Sequence, residues 1–152
     1  MKKAPSDPAH RHALPDASLG RLQGRNRFKN KRIIVFGAGQ DKRGVEGDPP
    51  IGYGRAASLL LAREGAKVFA VDRFLPEAQE TVDCILEEGG AAVAFKADLI
   101  DEKQVADAVY AAFFEMGEID GLLVNIGVGI GEPWLENIDV DLWDRVFNVN
   151  VR

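Results

Sequence analysis

Apolar residues in this chain follow two alternating rhythms. Residues 33–36 (IIVF) form a short unbroken apolar run ending at Gly37, the pattern of a strand covered on both faces. Over 55–64 the rhythm changes: Ala56, Leu59, Leu60 and Arg63 recur at helical spacing, and Gly65 stands where a left-handed helix cap belongs. The pair returns as 67–71 (KVFAV) followed by 76–88, with Val82, Ile85 and Leu86 in one stripe and Gly89 and Gly90 closing it. It returns once more as 91–95 and a helix over about 102–114, where Asp101 and Gln104 have capping-box spacing and Val105, Val109, Ala112 and Phe113 make the expected buried face. Residues 122–125 predict a fourth strand, and a last helix is expected from about Val140 with Leu142, Trp143, Val146 and Phe147 turned inward. Strands separated by helices of this length join by right-handed crossovers, so the predicted fold class is α/β, a doubly wound parallel sheet with helices on both faces. The pattern ends after the fourth strand and part of the following helix, so the sheet is expected to be truncated there.

Composition narrows the class. At 152 residues, 46% apolar and 28% charged, the chain fits one globular domain with a real core. The longest apolar stretches fall far short of the roughly 18 to 20 residues that a bilayer crossing takes, so no membrane partner is expected. Charge is uneven: residues 1–32 hold nine Lys/Arg against Asp7 and Asp16 (+7), leaving ten basic and twenty-two acidic residues (−12) beyond. Residues 1–30 therefore read as a disordered basic leader, with Pro5, Pro8 and Pro15 and few large apolar groups, and residues 31–152 as the folded domain. The leader has no apolar core of the secretory kind, and a solvated tail is favoured over organelle targeting or nucleic-acid binding. The single cysteine, Cys84, cannot close an internal disulfide and reads as a small core residue, which fits a reducing, cytoplasmic setting. His10 and His12 both lie in the leader, and no Cys/His spacing supports a metal.

Candidate chemistry sits between the first strand and the first helix. GAGQ (37–40) and GYGRA (52–56) place glycines where a tight strand-to-helix turn needs them and where a pyrophosphate must approach the main chain closely. Gly37, Gly39, Gly52, Tyr53 and Gly54 are accordingly candidate phosphate-turn residues, with the helix's unpaired amides and positive dipole end favouring an anion. Asp72 follows the second strand eighteen positions after Gly54, close to the roughly 20 expected of a carboxylate that accepts from ribose hydroxyls. Such a group repels a 2′-phosphate, so NAD is preferred over NADP, although Arg73 beside it and Lys42 or Arg43 in the preceding loop can act in the opposite sense.

With GAG…GYGRA, VDR, ADL, LVN and FNVNV in order from about Lys31 to Arg152, the chain resembles the short-chain dehydrogenase/reductase family. The resemblance implies a Rossmann-type, NAD(P)-binding domain in which Gly37, Gly52 and Gly54 match the pyrophosphate turn, Asp72 the ribose acid, Asp98 with Leu99 the adenine-contacting pair, and Asn125 the start of the cofactor-lining NNAG motif. Asn150 matches the family's active-site asparagine. The chain departs from the pattern at three places: eleven extra residues at 41–51 (DKRGVEGDPPI), Phe36 in place of the common Thr, and Asn125-Ile126-Gly127-Val128 in place of NNAG. The insert is expected to bulge into solvent, with a flap beside the ribose as the alternative. Val128 is expected to crowd the nicotinamide side, and Gly127 with Gly129 to restore clearance by a small shift of register.

Catalysis is less complete. The family's Ser and its YxxxK pair have no match: the only tyrosines, Tyr53 and Tyr110, have Ala57 and Phe114 four residues on. The preferred reading is the amino-terminal, cofactor-binding part of a short-chain oxidoreductase of alcohol/carbonyl pairs, binding cofactor without turning over, whose parent is expected to be a homo-oligomer. A non-catalytic dinucleotide-sensing or interaction module is the alternative reading, and an inert remnant of a broken gene a third.

Overall fold

The computed structural model describes residues 24–40, 50–129, 137 and 139–151. Eight elements alternate along them: β1 (Arg32–Phe36), α1 (Tyr53–Arg63), β2 (Lys67–Asp72), α2 (Leu75–Glu87), β3 (Ala91–Lys96), α3 (Glu102–Met116), β4 (Gly121–Val124) and α4 (Val140–Asn150). The four strands pair in parallel in the order β3-β2-β1-β4. The chain thus steps outward from β1 to β3 and then crosses back to β1's other edge, which opens a crevice at the carboxyl ends of β1 and β4.

The period of two along β1 and β2 builds two cores. Ile33, Val35, Val68 and Ala70 face α1 and α2, meeting Leu59, Val82 and Ile85, while Ile34, Phe36, Phe69 and Val71 face α3 through Ala108, Ala112 and Met116. Phe69 and Phe95 stack obliquely in the second layer with ring centres 5.6 Å apart. Cys84 packs partly buried against the first core. Helix ends follow the expected chemistry: Gly65 and Gly89 take positive φ after α1 and α2. Asp101 accepts from the Gln104 amide and side chain at the start of α3, bonds that lower its pKa. Among the described residues no helix is long and apolar enough to cross a membrane.

Three expectations are corrected. The leader was expected to run disordered to residue 30, yet residues 24–30 are docked: the Phe28 amide donates to the Glu64 carbonyl at 2.8 Å, and Phe28 packs on the first core. Residues 1–23 lie outside the described residues. The buried face of α3 is the small-residue row Ala108, Ala112 and Met116 rather than Val109 and Phe113; alanines let the helix axis sit close to the sheet, and Phe113 is 58% exposed. No residue of α4 is buried; Trp143 and Phe147 are each about half exposed and stack on each other at 4.9 Å, because β4 is the sheet's edge and no described element covers the helix. Trp134, expected to be a packing residue, lies outside the described residues.

Two carboxylates tie the docked segment and the sheet's amino-terminal edge. Glu64 accepts from the Arg27 side chain at 2.9 Å and from the Arg27 and Arg25 amides, which hold its pKa down to about 2. Asp120, bonded by the Lys31 side chain and by the Arg32 amide and side chain, is likewise lowered to about 2. A carboxylate whose folded pKa is depressed stabilises above its ordinary value, here 4.5 and 3.8, and loses that contribution as pH falls toward 2. Melting temperatures measured from pH 6 down to about 2 are expected to fall across that window, and Glu64→Gln with Asp120→Asn is expected to flatten the fall.

Candidate dinucleotide site

The carboxyl ends of all four strands meet at a cavity of about 340 Å³, within the size range of small-molecule sites. Gly37 continues β1 with φ of 74°, which a side chain disfavours, and its amide and that of Ala38 both donate to the Val71 carbonyl at 2.8 and 3.0 Å. The turn is thereby stitched to β2. A Cβ on Gly39 would sit 2.6 Å from the Glu77 Cβ and 2.8 Å from Asp72 Oδ2, so only glycine lets the turn pass between α2 and the strand-end carboxylate. A Cβ on Gly54 would overlap the Gly37 carbonyl oxygen, so glycine there brings the first turn of α1 down onto the loop.

The first intrahelical bond of α1 runs from the Ala56 amide to the Gly52 carbonyl at 2.9 Å. The amides of Tyr53, Gly54 and Arg55 therefore precede the ladder and carry the helix's positive dipole end at the cavity. The Gly37, Ala38 and Gly39 amides are already bonded within the protein, to the Val71 carbonyl and to Asp72. Gln40, almost fully buried, spans the two sides of the long insertion: its Nε2 donates to the Pro50 carbonyl and its Oε1 accepts from the Gly52 amide, each at 3.4 Å. The ends of the insertion are thus held together beside the turn, as its tolerance requires. Residues 41–49 of the insertion lie outside the described residues.

Asp72 ends β2 and faces the turn. Its Oδ2 accepts from the Gly39 amide and its Oδ1 from the Phe74 amide, both at 3.0 Å, which fixes the carboxylate while leaving lone pairs for a ligand. Arg73 lies over the Phe74 ring, 4.8 Å from its centre. On β3's side, Asp98 and Leu99 line the cavity; the Asp98 amide donates to Gln104 Oε1 at 3.0 Å and its Oδ1 accepts from Ile100. From β4 come Asn125 and Gly127, with the Asn125 side-chain amide 3.5 Å from the Gly37 carbonyl.

All eleven residues expected to bind cofactor, Gly37, Gly39, Gly52, Tyr53, Gly54, Asp72, Arg73, Asp98, Leu99, Asn125 and Gly127, line this one cavity. Tyr53 does so from the rim, 87% exposed. Asn150 does not line it. Instead its side chain accepts from the Val128 amide at 2.8 Å and donates to the Val128 carbonyl at 3.0 Å, holding the loop after β4 to α4. Sequence reasoning missed Gln40, Glu77 and Val149 in the lining; Gln40 and Val149 were visible only as letters of GAGQ and FNVNV, and Glu77 is a helix residue with no motif.

A parallel sheet whose first strand ends in a glycine turn under a helix amino terminus, and whose second ends in a carboxylate bonded to that turn, is a Rossmann-type nucleotide-binding domain. The family profile described as short chain dehydrogenase matches residues 50–152. The chain is 33% identical over 127 residues to a cyclohexanol dehydrogenase of Acinetobacter sp. (strain SE19), covering 83% of this chain and 46% of that protein. It is 33% identical over 126 residues to 3β-hydroxysteroid dehydrogenase 1 of Eggerthella lenta, covering 82% and 43%. Among solved structures, a short chain dehydrogenase from Mycobacterium smegmatis superposes with a TM-score of 0.72 at 26% identity, covering 84% of this chain and 48% of the other. A 7α-hydroxysteroid dehydrogenase complexed with NADH and 7-oxo glycochenodeoxycholic acid superposes at 0.69 and 27%, covering 83% and 44%. The chain belongs to the short-chain dehydrogenase family. It spans about half the length of the relatives it matches.

Proposed function

We propose that this chain binds NAD(P) by its adenosine diphosphate half and is the cofactor-binding part of an oxidoreductase acting on an alcohol/carbonyl pair. The observation that carries the reading is the convergence of the α1 amides, the Gly37–Gly39–Gly54 cradle and the Asp72 carboxylate on one cavity. The cradle fits the group: a methyl at Gly54 or Gly39 would fill space that the turn needs, and α1 supplies three unladdered amides to an anion. Asp72, already oriented by two backbone amides, accepts from the ribose hydroxyls and disfavours a 2′-phosphate, so NAD is preferred. Asp98 and Leu99 flank the adenine, and Asn125 and Gly127 stand on the nicotinamide side. Asn150 holds the loop that carries Val128, the position at which it can also serve an active site. The hydride chemistry belongs to the nicotinamide when bound.

The sequence given supplies no Tyr with a Lys four residues on, so the proton-transfer pair of the family is not contributed by these residues. Relatives named for cyclohexanol and hydroxysteroids are in keeping with an alcohol substrate for the whole enzyme, which is expected to assemble as a homo-oligomer in the cytoplasm.

Titrating the 152-residue chain into NADH and following nicotinamide fluorescence tests the proposal. Saturable binding that ADP-ribose displaces, with no turnover of added alcohols, is the expected result. Absence of binding, or binding that ADP-ribose leaves untouched, refutes it.

A further inference from the structure

The peptide unit between Ala38 and Gly39 is held at both ends. Its carbonyl oxygen accepts from the Thr81 hydroxyl at 2.9 Å, and its N–H donates to Asp72 Oδ2 at 3.0 Å. Thr81 stands in the middle of α2 with no exposed surface, and Ala38 is equally buried. Neither residue lines the cavity, so this bond lies behind the turn as seen from it.

A threonine in a helix ordinarily gives its hydroxyl hydrogen to the carbonyl one turn back. Thr81 has that option, with the Glu77 carbonyl 3.2 Å away, and only one hydrogen to give. Arg55 decides between the two. Reaching across from the first turn of α1 and itself nearly buried, it donates Nε–H to Thr81 Oγ1 at 3.0 Å and a terminal N–H to the Glu77 carbonyl at 3.3 Å. The carbonyl that competes for the threonine hydrogen thereby has another donor, and the hydroxyl's lone pair is oriented toward the guanidinium, which aims its hydrogen at Ala38. Glu80, 2.9 Å from the same guanidinium, balances its charge. Residues from α1, α2 and the glycine turn thus meet at one hydroxyl, which accepts from Arg55 and donates to Ala38.

We infer that Thr81, directed by Arg55, is a positioning residue for the nucleotide turn, locking the Ala38–Gly39 peptide so that its N–H aims the Asp72 carboxylate and its carbonyl oxygen is kept from the mouth that receives the phosphates. The inference rests on the reading that the turn and Asp72 hold the nucleotide. A freed peptide can rotate, which turns an oxygen toward the anion and removes a donor from Asp72; both changes weaken the same ligand.

Thr81→Val keeps the side chain's shape and removes the hydroxyl, whereas Thr81→Ser keeps the hydroxyl. Thr81→Val is expected to weaken NADH binding about tenfold, in line with the loss of one buried hydrogen bond and an unsatisfied carbonyl. Exchange of the Gly39 amide with solvent deuterium is expected to quicken by a similar factor relative to amides of β2, and Thr81→Ser to stay within about twofold of the parent in both readouts. Should Thr81→Val fail to fold, Arg55→Lys, which keeps the charge and loses the Nε donor, carries the same two expectations. Unchanged affinity and unchanged relative Gly39 exchange overturn the inference, as does a serine variant as impaired as the valine. If the parent chain does not bind NADH, the functional reading falls, and Gly39 exchange alone decides: quickened in the valine variant it upholds the lock, unaltered it overturns it.

Discussion

Alanine at position 54 is expected to destabilise the protein by about 3 kcal/mol and to lower its melting temperature by roughly 10 °C. The sign is what makes the experiment informative. In an ordinary helix the same substitution stabilises by about 1 kcal/mol, because alanine loses less backbone entropy on folding. Here the added methyl meets the Gly37 carbonyl oxygen and carbon and the Asn125 side-chain amide. Backbone atoms of Gly37 cannot rotate away as a side chain can, and they are pinned in turn by the Gly37 amide's bond to Val71. Relief requires α1 to lift off the turn, which opens the first core at Leu59 and separates the helix amides from the cavity. NADH affinity should therefore fall together with stability. Gly129→Ala is the matched control: a methyl there meets nothing within 4 Å among the described residues, and its melting temperature should stay with that of the parent. A Gly54→Ala protein as stable as the parent, in thermal melts followed by circular dichroism, would remove the close helix–turn approach on which the site is built.

Why some of this was legible in the sequence and some was not follows from the range of the interactions. Strands buried on both faces announce themselves as unbroken apolar runs, and 33–36 and 67–71 lie inside β1 and β2 as observed. Helix starts and stops written in local chemistry, Asp101 with Gln104 or Gly65 at positive φ, were equally readable. Which face of a helix is buried depends on what stands opposite, and periodicity alone does not carry that information. For α3 the bulky Val109 and Phe113 looked like the core stripe, but the sheet accepts the alanine row beside them. For α4 the apolar stripe is real, and its surroundings are not supplied by any described element. The docking of residues 24–30 was hidden for a related reason: Glu64 recruits them across 37 to 39 positions, through two main-chain amides and one guanidinium.

The site divides along the same line. Gly37 and Asp72 stand at strand ends and Gly54 in the first turn of α1, positions that spacing along the chain can report, and the three line one cavity. Thr81 and Arg55 carry no such signature. A threonine in mid-helix and an arginine in a first turn read as ordinary surface or core residues, and only the fold reveals that one hydroxyl spans 43 positions to the Ala38 carbonyl. Asn150 illustrates a third situation: its motif marks it by resemblance, while its observed bonds go to both polar groups of Val128. That pairing gives the loop after β4 a fixed course even though Val128 replaces a glycine of the family pattern.

The sharpest test of the cofactor assignment is Asp72→Asn, which is expected to shift the ratio of NADH to NADPH affinity by about 30-fold toward NADPH. Asparagine retains an oxygen that can accept from the Gly39 amide, so the turn keeps its anchor while the negative charge is removed. Two effects then add in the ratio. NADH loses charge-assisted bonds from its ribose hydroxyls, which are roughly twice as strong as neutral ones. NADPH escapes the repulsion between a 2′-phosphate and a carboxylate, and Arg73, seated over the neighbouring Phe74 ring, contributes a positive charge to the lining. Asp72→Ala removes the anchor as well, so it should weaken both cofactors beyond the asparagine variant while leaving the NADH preference equally abolished. Fluorescence titrations of the two nucleotides against the three proteins separate these contributions. If Asp72→Asn lowers both affinities by one common factor, the carboxylate serves only to hold the Gly39 and Phe74 amides, and the proposal that it selects NAD falls.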